Sequence, residues 1–384
     1  MALNTVSSDR LSTNVKTSNL GTELKGKVGQ NKNLMINGAC LIAQRGTSAT
    51  TEGYLVDRME VDFSGTDEAP TISQTDVASG TTPYTSGFRK AFKITNGNQT
   101  SGAGAADRLQ VFLKQEAQNI VNSGWNYLSS SSNITLSFWI KSSVAQNFFG
   151  FLRTRDGTEQ RYPFQTGSLS ADTWTKITKT IPGNSSITMN NDTGEGLQVT
   201  IMAFMGTDYT DSGVSLNAWG AYAGGTQTPD HTSTWYTTND ATLEMTGFQL
   251  EVGSVATDFE HRSFGDELLR CQRYYENVKG ASYNDGNEVL VANGFNYETS
   301  RVIGNFQFKV EKRARPSTST DDVLEVQVLK TGAAWYSSGG FGGNSNVYCT
   351  RLDCTSISTS PLTAGQATEI RLTSDGIIHF DAEL

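Results

Sequence analysis

The chain has 384 residues, of which 18% are charged and 10% are aromatic, and its formal net charge is −9. This composition excludes a charged disordered chain, since enough aromatic residues are present to build a core. The acidic balance excludes a general electrostatic attraction to nucleic acid. At ~100–200 residues per domain, the length predicts two or three domains.

The N-terminal 32 residues are polar and carry five basic residues against two acidic ones, in an otherwise acidic chain. Two interpretations stay open: a solvated mobile arm, or a docking arm for an acidic partner. In the second interpretation Arg10 and Lys16 supply charge, while Leu20 and Leu24 supply apolar contacts. We expect no signal peptide and no membrane insertion, because no apolar run approaches the ~18–20 residues that cross a bilayer.

Short strand patterns begin at Asn33. Apolar runs at 34–36 and 39–43 flank an Asn-Gly turn signal, and 54–59 and 87–94 are further strand candidates. Residues 108–113 fit either a strand or a helix. Glycine is frequent and proline rare, at 38 and 7 residues, which suits many strands joined by tight turns.

The clearest strand lies at 134–141, where Ile134, Leu136, Phe138 and Ile140 alternate with other residues. A period of two predicts that these four residues share a buried face. Trp139 takes the opposite face, where it is either covered by a second layer or exposed for binding.

Residues 174–181 and 197–204 follow the same pattern. At 241–252 the apolar parity changes at Thr246-Gly247, which predicts a β-bulge because one extra residue re-aims every later side chain. Ser263 then predicts the cap of a helix at 264–277, with acidic residues in its first turn. Strand patterns resume at 302–310, 324–328 and 378–382.

Several short motifs occur in order along the chain. They are NLMING (33–38), AQRG (43–46), YLVDR (54–58), LSFWIK (136–141), FQLEVG (248–253), FEHR (259–262), CQRYY (271–275) and DAEL (381–384). In these motifs the chain resembles phage virion proteins, especially tail-fibre-like proteins of marine cyanophages. It departs at Met59, where the family pattern often has Trp.

The strand patterns and the single helix predict an all-β fold of two modules joined by a short helix. The resemblance implies that the first module is a jelly-roll β-sandwich similar to carbohydrate-binding modules and that a smaller C-terminal β-sandwich domain follows. We therefore expect an attachment arm at 1–32, the jelly roll at 33–263, the connecting helix at 264–277 and the C-terminal domain at 278–384. The resemblance also implies a virion location after assembly in the host cytoplasm, and a homotrimer.

Catalytic signatures are weak in this sequence. The three histidines match no metal spacing, and Glu260-His261-Arg262 predicts a structural role in which Glu260 and Arg262 pair while His261 faces away. Cys349, Cys354 and His379 would be an unusual zinc set, and the two cysteines could instead pair across a hairpin. We expect no enzyme and no resident cofactor, with a structural Ca²⁺ at Asp57 or Asp62 left open.

Glycan cleavage stays open as an alternative, since it needs two carboxylates across a cleft. Asp57 with Asp62, or Asp230 with Asp240, are the pairs that the sequence offers. Glycan binding is better supported, because aromatic and polar residues cluster in a Gly-rich loop context. The candidate binding residues are Trp219, Tyr222, His231, Trp235 and Trp139, with a core role left open for Trp139 and Trp235.

The leading functional hypothesis is a phage tail fibre or similar appendage that contacts host surface polysaccharide and other virion tail or capsid proteins. A capsid or tail component that makes only protein contacts is the alternative, and a glycan depolymerase is the third hypothesis.

Overall fold

The computed structural model describes residues 32–280, 289–321, 324–328, 334–357, 362–372 and 376–384. Within them the chain is mostly β-strand with three short helices, which confirms the all-β class. The attachment residues Arg10, Lys16, Leu20 and Leu24 lie outside the described residues. None of the described helices has the length and apolarity needed to span a bilayer.

Thirteen strands and two short helices form the N-terminal module, all within residues 32–280. The strands are β1 (Ser48–Ala49), β2 (Gly53–Tyr54), β3 (Glu60–Ser64), β4 (Thr71–Asp76), β5 (Lys90–Thr95), β6 (Arg108–Glu116), β7 (Asn133–Ser142), β8 (Asn147–Thr154), β9 (Gln160–Ser168), β10 (Thr175–Pro182), β11 (Glu195–Met205), β12 (Gly220–Ala221) and β13 (Thr242–Val252). The helices are α1 (Thr82–Thr85) and α2 (Ala117–Val121).

These strands form two antiparallel sheets that pack face to face. The six-stranded sheet has the order β1-β4-β5-β13-β7-β10, and the seven-stranded sheet has the order β12-β9-β8-β11-β6-β3-β2. The four alternating residues of β7 are fully buried between the sheets, as predicted, and Phe138 stacks on Phe248 with 5.1 Å between ring centroids. Residues 108–113 resolve as part of strand β6.

The predicted β-bulge is present in β13. The register with β7 shifts between Thr246 and Gln249, and Gly247 adopts a φ of +69°. The shift lets Leu243 and Met245 before the bulge, and Leu250 after it, all enter the core.

The first apolar run is not a strand. The Leu34 amide donates to the Leu250 carbonyl at 2.8 Å, but the Asn33 side chain makes the neighbouring bonds: its Nδ2 donates to the Phe248 carbonyl at 3.0 Å, and its Oδ1 accepts from the Leu250 amide at 3.1 Å. Residues 34–36 therefore follow bends, although Met35 is fully buried. Of the predicted strand at 54–59, only Tyr54 is in a strand.

The helix α3 (Phe264–Gln272) begins where predicted, and the Ser263 hydroxyl accepts from the Asp266 amide at 3.2 Å. It ends earlier than the predicted residue 277. The reason is long-range: Tyr275–Lys279 forms strand β14 and pairs with β22 (Ile377–Asp381).

The C-terminal module contains β14 and β22 together with β15 (Val289–Glu298), β16 (Arg301–Gln307), β17 (Ser317–Thr320), β18 (Leu324–Val328), β19 (Ala334–Ser345), β20 (Cys349–Ile357) and β21 (Ala367–Leu372). Six of them close into a barrel, β15-β16-β20-β19-β18-β21, beside the sheet β14-β22-β17, a more closed arrangement than the predicted sandwich. Cys349 and Cys354 share one strand at an odd separation, so they point to opposite faces and stay unpaired, contrary to the hairpin option.

A polar junction joins the two modules. The Arg45 guanidinium lies 3.4 Å from the Tyr275 ring centroid and pairs with Asp381 at 2.9 Å. Arg58 lies 3.6 Å from the Tyr274 ring centroid and forms an ion pair with Glu383. The 43–46, 54–58, 271–275 and 381–384 motifs therefore meet at this junction.

Candidate functional site

The outer face of the seven-stranded sheet is polar but largely covered. On β11, Leu197, Val199 and Ile201 face the core, so Gln198, Thr200 and Met202 face outward. Those three outward residues are nevertheless buried, since residues 206–231 fold over them. We call residues 206–231 the cover segment.

The cover segment is tied to the sheet at its edge and across its face. The Asn217 amide donates to the Pro163 carbonyl at 2.8 Å, and the Tyr222 amide donates to the Glu159 carbonyl at 2.9 Å. Tyr209, Leu216 and Tyr222 pack on a cluster formed by Phe149, Phe151, Met202 and Met205. The face that is left open forms a cleft of about 260 Å³.

One wall of the cleft is an ordered polar network on β3 and β6. The Asp62 carboxylate accepts from Arg108 Nε at 2.6 Å, from Arg108 Nη2 at 3.1 Å and from Gln110 Nε2 at 2.8 Å. Burial alone would raise the pKa of Asp62, but these hydrogen bonds outweigh it and lower the pKa from 3.8. The amide oxygen of Gln110 is buried without a hydrogen-bond partner among the described residues.

The other wall places an aromatic ring on a cation. The Arg153 guanidinium of β8 lies 3.4 Å from the Tyr222 ring centroid, within cation–π range. Glu159 holds that guanidinium, accepting from Arg153 Nε at 2.9 Å. Tyr209 of the cover segment contacts the first wall, because its hydroxyl accepts from Arg108 Nη1 at 3.2 Å.

A second depression of about 360 Å³ adjoins the cleft at Trp219 and Arg161. The Trp219 indole donates to the Pro182 carbonyl at 2.7 Å, and its ring lies 5.3 Å from that of Tyr162. Arg161 pairs in register with Arg153, so both side chains lie on the outer face. Burial lowers the pKa of Arg161, and its Nε has no hydrogen-bond partner in the described part of the chain.

The structure separates the five predicted binding residues. Tyr222 lines the cleft and Trp219 the adjoining depression, whereas Trp139 lies on the opposite sheet. His231 is the last residue of the cover segment, its ring centroid lies 4.9 Å from that of Phe149, and burial lowers its pKa to about 3. Trp235 is fully buried and donates to the Thr242 carbonyl, so it is a core residue and leaves the candidate site.

Sequence reasoning missed Arg108, Gln110 and Arg153 as cleft residues, and it named Asp62 only as a calcium or hydrolytic candidate. A signal was present at 108–113, where apolar Leu109, Val111 and Leu113 alternate with other residues. A strand at 108–113 places Arg108 and Gln110 together on one outward face, because alternate side chains of a strand share a face.

The acidic candidates have other partners. Asp57 is fully buried at the junction and accepts from the Gln44 amide at 2.9 Å, so it does not flank the cleft with Asp62. Asp230 accepts from the Thr210 hydroxyl at 2.8 Å. Among the described residues, no cluster of three or more His, Cys, Asp or Glu side chains could hold a metal ion, and the calcium expectation stays without assigned ligands.

The predicted arrangement at Glu260-His261-Arg262 is present. Arg262 pairs with Glu260 at 3.2 Å, and His261 faces away and lies 2.9 Å from the Ser86 carbonyl through Nε2. His379 lies against Tyr275, with its Nδ1 2.5 Å from the tyrosine hydroxyl, so it has a structural partner at the junction.

No protein-family model matches this chain, and no curated protein matches it. Solved structures align with part of this chain at low identity. One is the enzymatically active domain of tailspike protein 4 from bacteriophage CBA120, at 7% identity and a TM-score of 0.30 over 58% of this chain. Another is the N-terminal cellulose-binding domain of Cellulomonas fimi β-1,4-glucanase C, at 11% identity and a TM-score of 0.27 over 55% of this chain and 96% of that chain. A third is a family 11 carbohydrate-binding module from Clostridium thermocellum, at 12% identity and a TM-score of 0.24 over 57% of this chain and 100% of that chain. This chain spans 22% of the tailspike chain's length. At these identities and TM-scores the likeness does not extend to ligand or activity.

Proposed function

We propose that this protein binds glycans, without cleaving them, through the cleft on the seven-stranded sheet. The observation that carries the proposal is the fixed Asp62–Arg108–Gln110 network facing the Tyr222 ring on Arg153. Sugars present apolar C–H faces and many hydroxyls, so a rigid set of donors and acceptors beside an aromatic ring suits them.

Two properties of the cleft favour a ligand rather than a purely structural network. The Asp62 and Arg108 side chains are held by each other, so little conformational entropy is lost on binding. The unpartnered Gln110 oxygen carries the cost of a buried polar atom, and a sugar hydroxyl donating to it would remove that cost.

The biological setting rests on the motif resemblance. We propose that the chain is a phage tail fibre or similar virion appendage, which attaches through residues 1–32 and presents its β modules to host surface glycans, most simply as a homotrimer. The basic balance of residues 1–32 supports attachment to an acidic partner.

The binding test is a glycan array that includes host-surface polysaccharides, with the Tyr222→Ala variant. We expect the variant to bind at least about tenfold more weakly, since it loses the ring and frees Arg153. Tyr348→Ala is the matched control, because that tyrosine is 55% exposed on the C-terminal module. Equal binding by both variants contradicts the cleft, and a wild-type chain that binds no glycan contradicts glycan binding.

Localisation and catalysis need separate measurements. Antibody labelling in electron microscopy should place the protein on the tail, and deletion of residues 1–32 should leave a folded chain that no longer joins virions. Labelling of the phage head would favour the alternative, in which the protein is a structural component that makes only protein contacts. New reducing ends after incubation with a bound polysaccharide would establish a depolymerase instead.

A further inference from the structure

The opposite face of the N-terminal module contains a separate cavity. It lies on the outer side of the six-stranded sheet, has a volume of about 310 Å³ and includes Trp139 in its wall. Ser137 and Trp139 reach it from β7, and Lys176 reaches it from β10, where it is directly opposite Trp139 in register. The cavity shares no lining residue with the cleft.

The shape of this cavity depends on the β13 bulge. Gly247 lies at the bulge with a positive φ, and a Cβ there would be 2.6 Å from the Phe88 ring. Glycine therefore lets Phe88 approach the strand closely. Phe88, Phe259 and His261 then form an aromatic corner, with ring centroids 4.8 to 5.1 Å apart. The His261 ring is held at the Ser86 carbonyl, so the corner is fixed.

The polar groups at this cavity have unused hydrogen-bonding capacity. Ser137 is only 3% exposed, and its hydroxyl makes no hydrogen bond within the described residues. The Ser137 Oγ is not one of the buried side-chain atoms that lack a partner, so the hydroxyl is open to the cavity. Lys176 and Asp258 are exposed residues that line the cavity, so an ammonium and a carboxylate are available to a ligand there.

We propose that this cavity is a second binding site, for a single sugar residue. The Trp139 ring packs on the C–H face of the sugar. The Ser137 hydroxyl, the Lys176 ammonium and the Asp258 carboxylate hydrogen-bond to its hydroxyl groups.

The mixed wall favours a sugar over other small ligands. A purely apolar ligand would displace water from the Ser137 hydroxyl without replacing its hydrogen bond, and a simple anion would face Asp258 as well as Lys176. A sugar hydroxyl both donates and accepts, so it can bond to groups of either charge. This second site and the cleft of the seven-stranded sheet have no lining residue in common, so either could bind sugar without the other.

The test uses the full-length chain in the Tyr222→Ala background, which removes the cleft's aromatic ring. Glucose, galactose, N-acetylglucosamine and glucuronate are each titrated at millimolar concentration, with saturation-transfer NMR as the readout. At least one of these sugars should bind, and Trp139→Ala should weaken that binding by about tenfold. Trp174→Ala is the matched control, because Trp174 packs on the same outer face without lining the cavity.

Ser137→Ala is a second binding variant, chosen because it is expected to fold normally. Removing a hydroxyl without a protein partner should leave the unfolding midpoint unchanged or raise it, while binding weakens by about threefold. Absence of binding by all four sugars overturns the inference. Equal binding by wild type, Trp139→Ala and Ser137→Ala also overturns it.

Discussion

Arg58 and Glu383, 325 residues apart in the chain, form a buried ion pair across the module junction. Arg58 also donates to the Lys114 carbonyl at 2.6 Å, and the Arg313 guanidinium holds the Glu383 carbonyl at 2.6 Å. The pair thus belongs to a network in which the 54–58 and 381–384 motifs contact each other. These motifs position the modules, whereas the cleft lies at residues that the motifs do not include.

Glu383→Ala should destabilise the protein by about 3–5 kcal/mol, because it leaves the fully buried Arg58 charge without its partner. The measurement is the free energy of unfolding in urea. Asp76→Ala is the control, since Asp76 pairs with Lys90 at an exposed site and should contribute less than about 1 kcal/mol. Similar losses for the two variants would contradict the structural role of the junction pair.

Asp57 should make stability depend on pH. Burial raises its pKa to about 6, although hydrogen bonds from Gln44 oppose the shift. Between pH ~4 and ~6 the folded state holds a proton that the unfolded state releases, so this group lowers stability as pH rises, by up to about 3 kcal/mol. Asp57→Asn should remove that component from the pH profile of unfolding. Parallel profiles for variant and wild type would contradict it.

His231 should behave in the opposite sense. Its pKa is lowered to about 3 by burial, so the unfolded state takes up a proton first as pH falls below ~6.5. The imidazole resonances of His231 in NMR should therefore stay constant from pH 8 to ~4, while folded stability declines over that interval. A titration of His231 near pH 6 would show that its packing against Phe149 and Phe204 leaves the imidazole solvated.

Gly247→Ala should destabilise the N-terminal module by more than about 1 kcal/mol, because the new Cβ meets the Phe88 ring at a positive φ. Gly265→Ala is the matched control: it lies in α3, nothing lies within 4 Å of its added Cβ, and it should be neutral or stabilising. Thermal unfolding compares the two, and equal midpoints would contradict the constraint at the bulge.

Local patterns predicted the parts of the fold that local physics determines. The alternation in β7, the bulge at Thr246-Gly247 and the Ser263 cap each depend on neighbouring residues, and each is present. The end of α3 depends instead on pairing between Tyr275 and Asp381, which are far apart in sequence. Periodicity along the chain carries no information about such a partner.

The candidate site was harder to predict for the same reason. Asp62, Arg108 and Arg153 come from three strands whose neighbours in the sheet are set by topology, and Tyr222 comes from a loop folded over them. Aromatic residues in Gly-rich sequence indicated Trp219 and Tyr222. The core role that the sequence left open for Trp235 is the one that the structure shows, since its indole hydrogen bond is satisfied inside the core.

The cover segment separates the stability of the sheet from the shape of the cleft, which would both depend on the same residues in an uncovered sheet face. The strands beneath it are held by the core, while the cover segment supplies Tyr209 and Tyr222 and limits how much of the face is open. Changes among the exposed residues of the cover segment can therefore reshape the opening at little cost to folding, whereas its buried residues Thr210 and Thr228 are constrained. In a lineage under pressure to recognise new surfaces, this segment is where variation is best tolerated, and comparison of related chains should find its greatest diversity there.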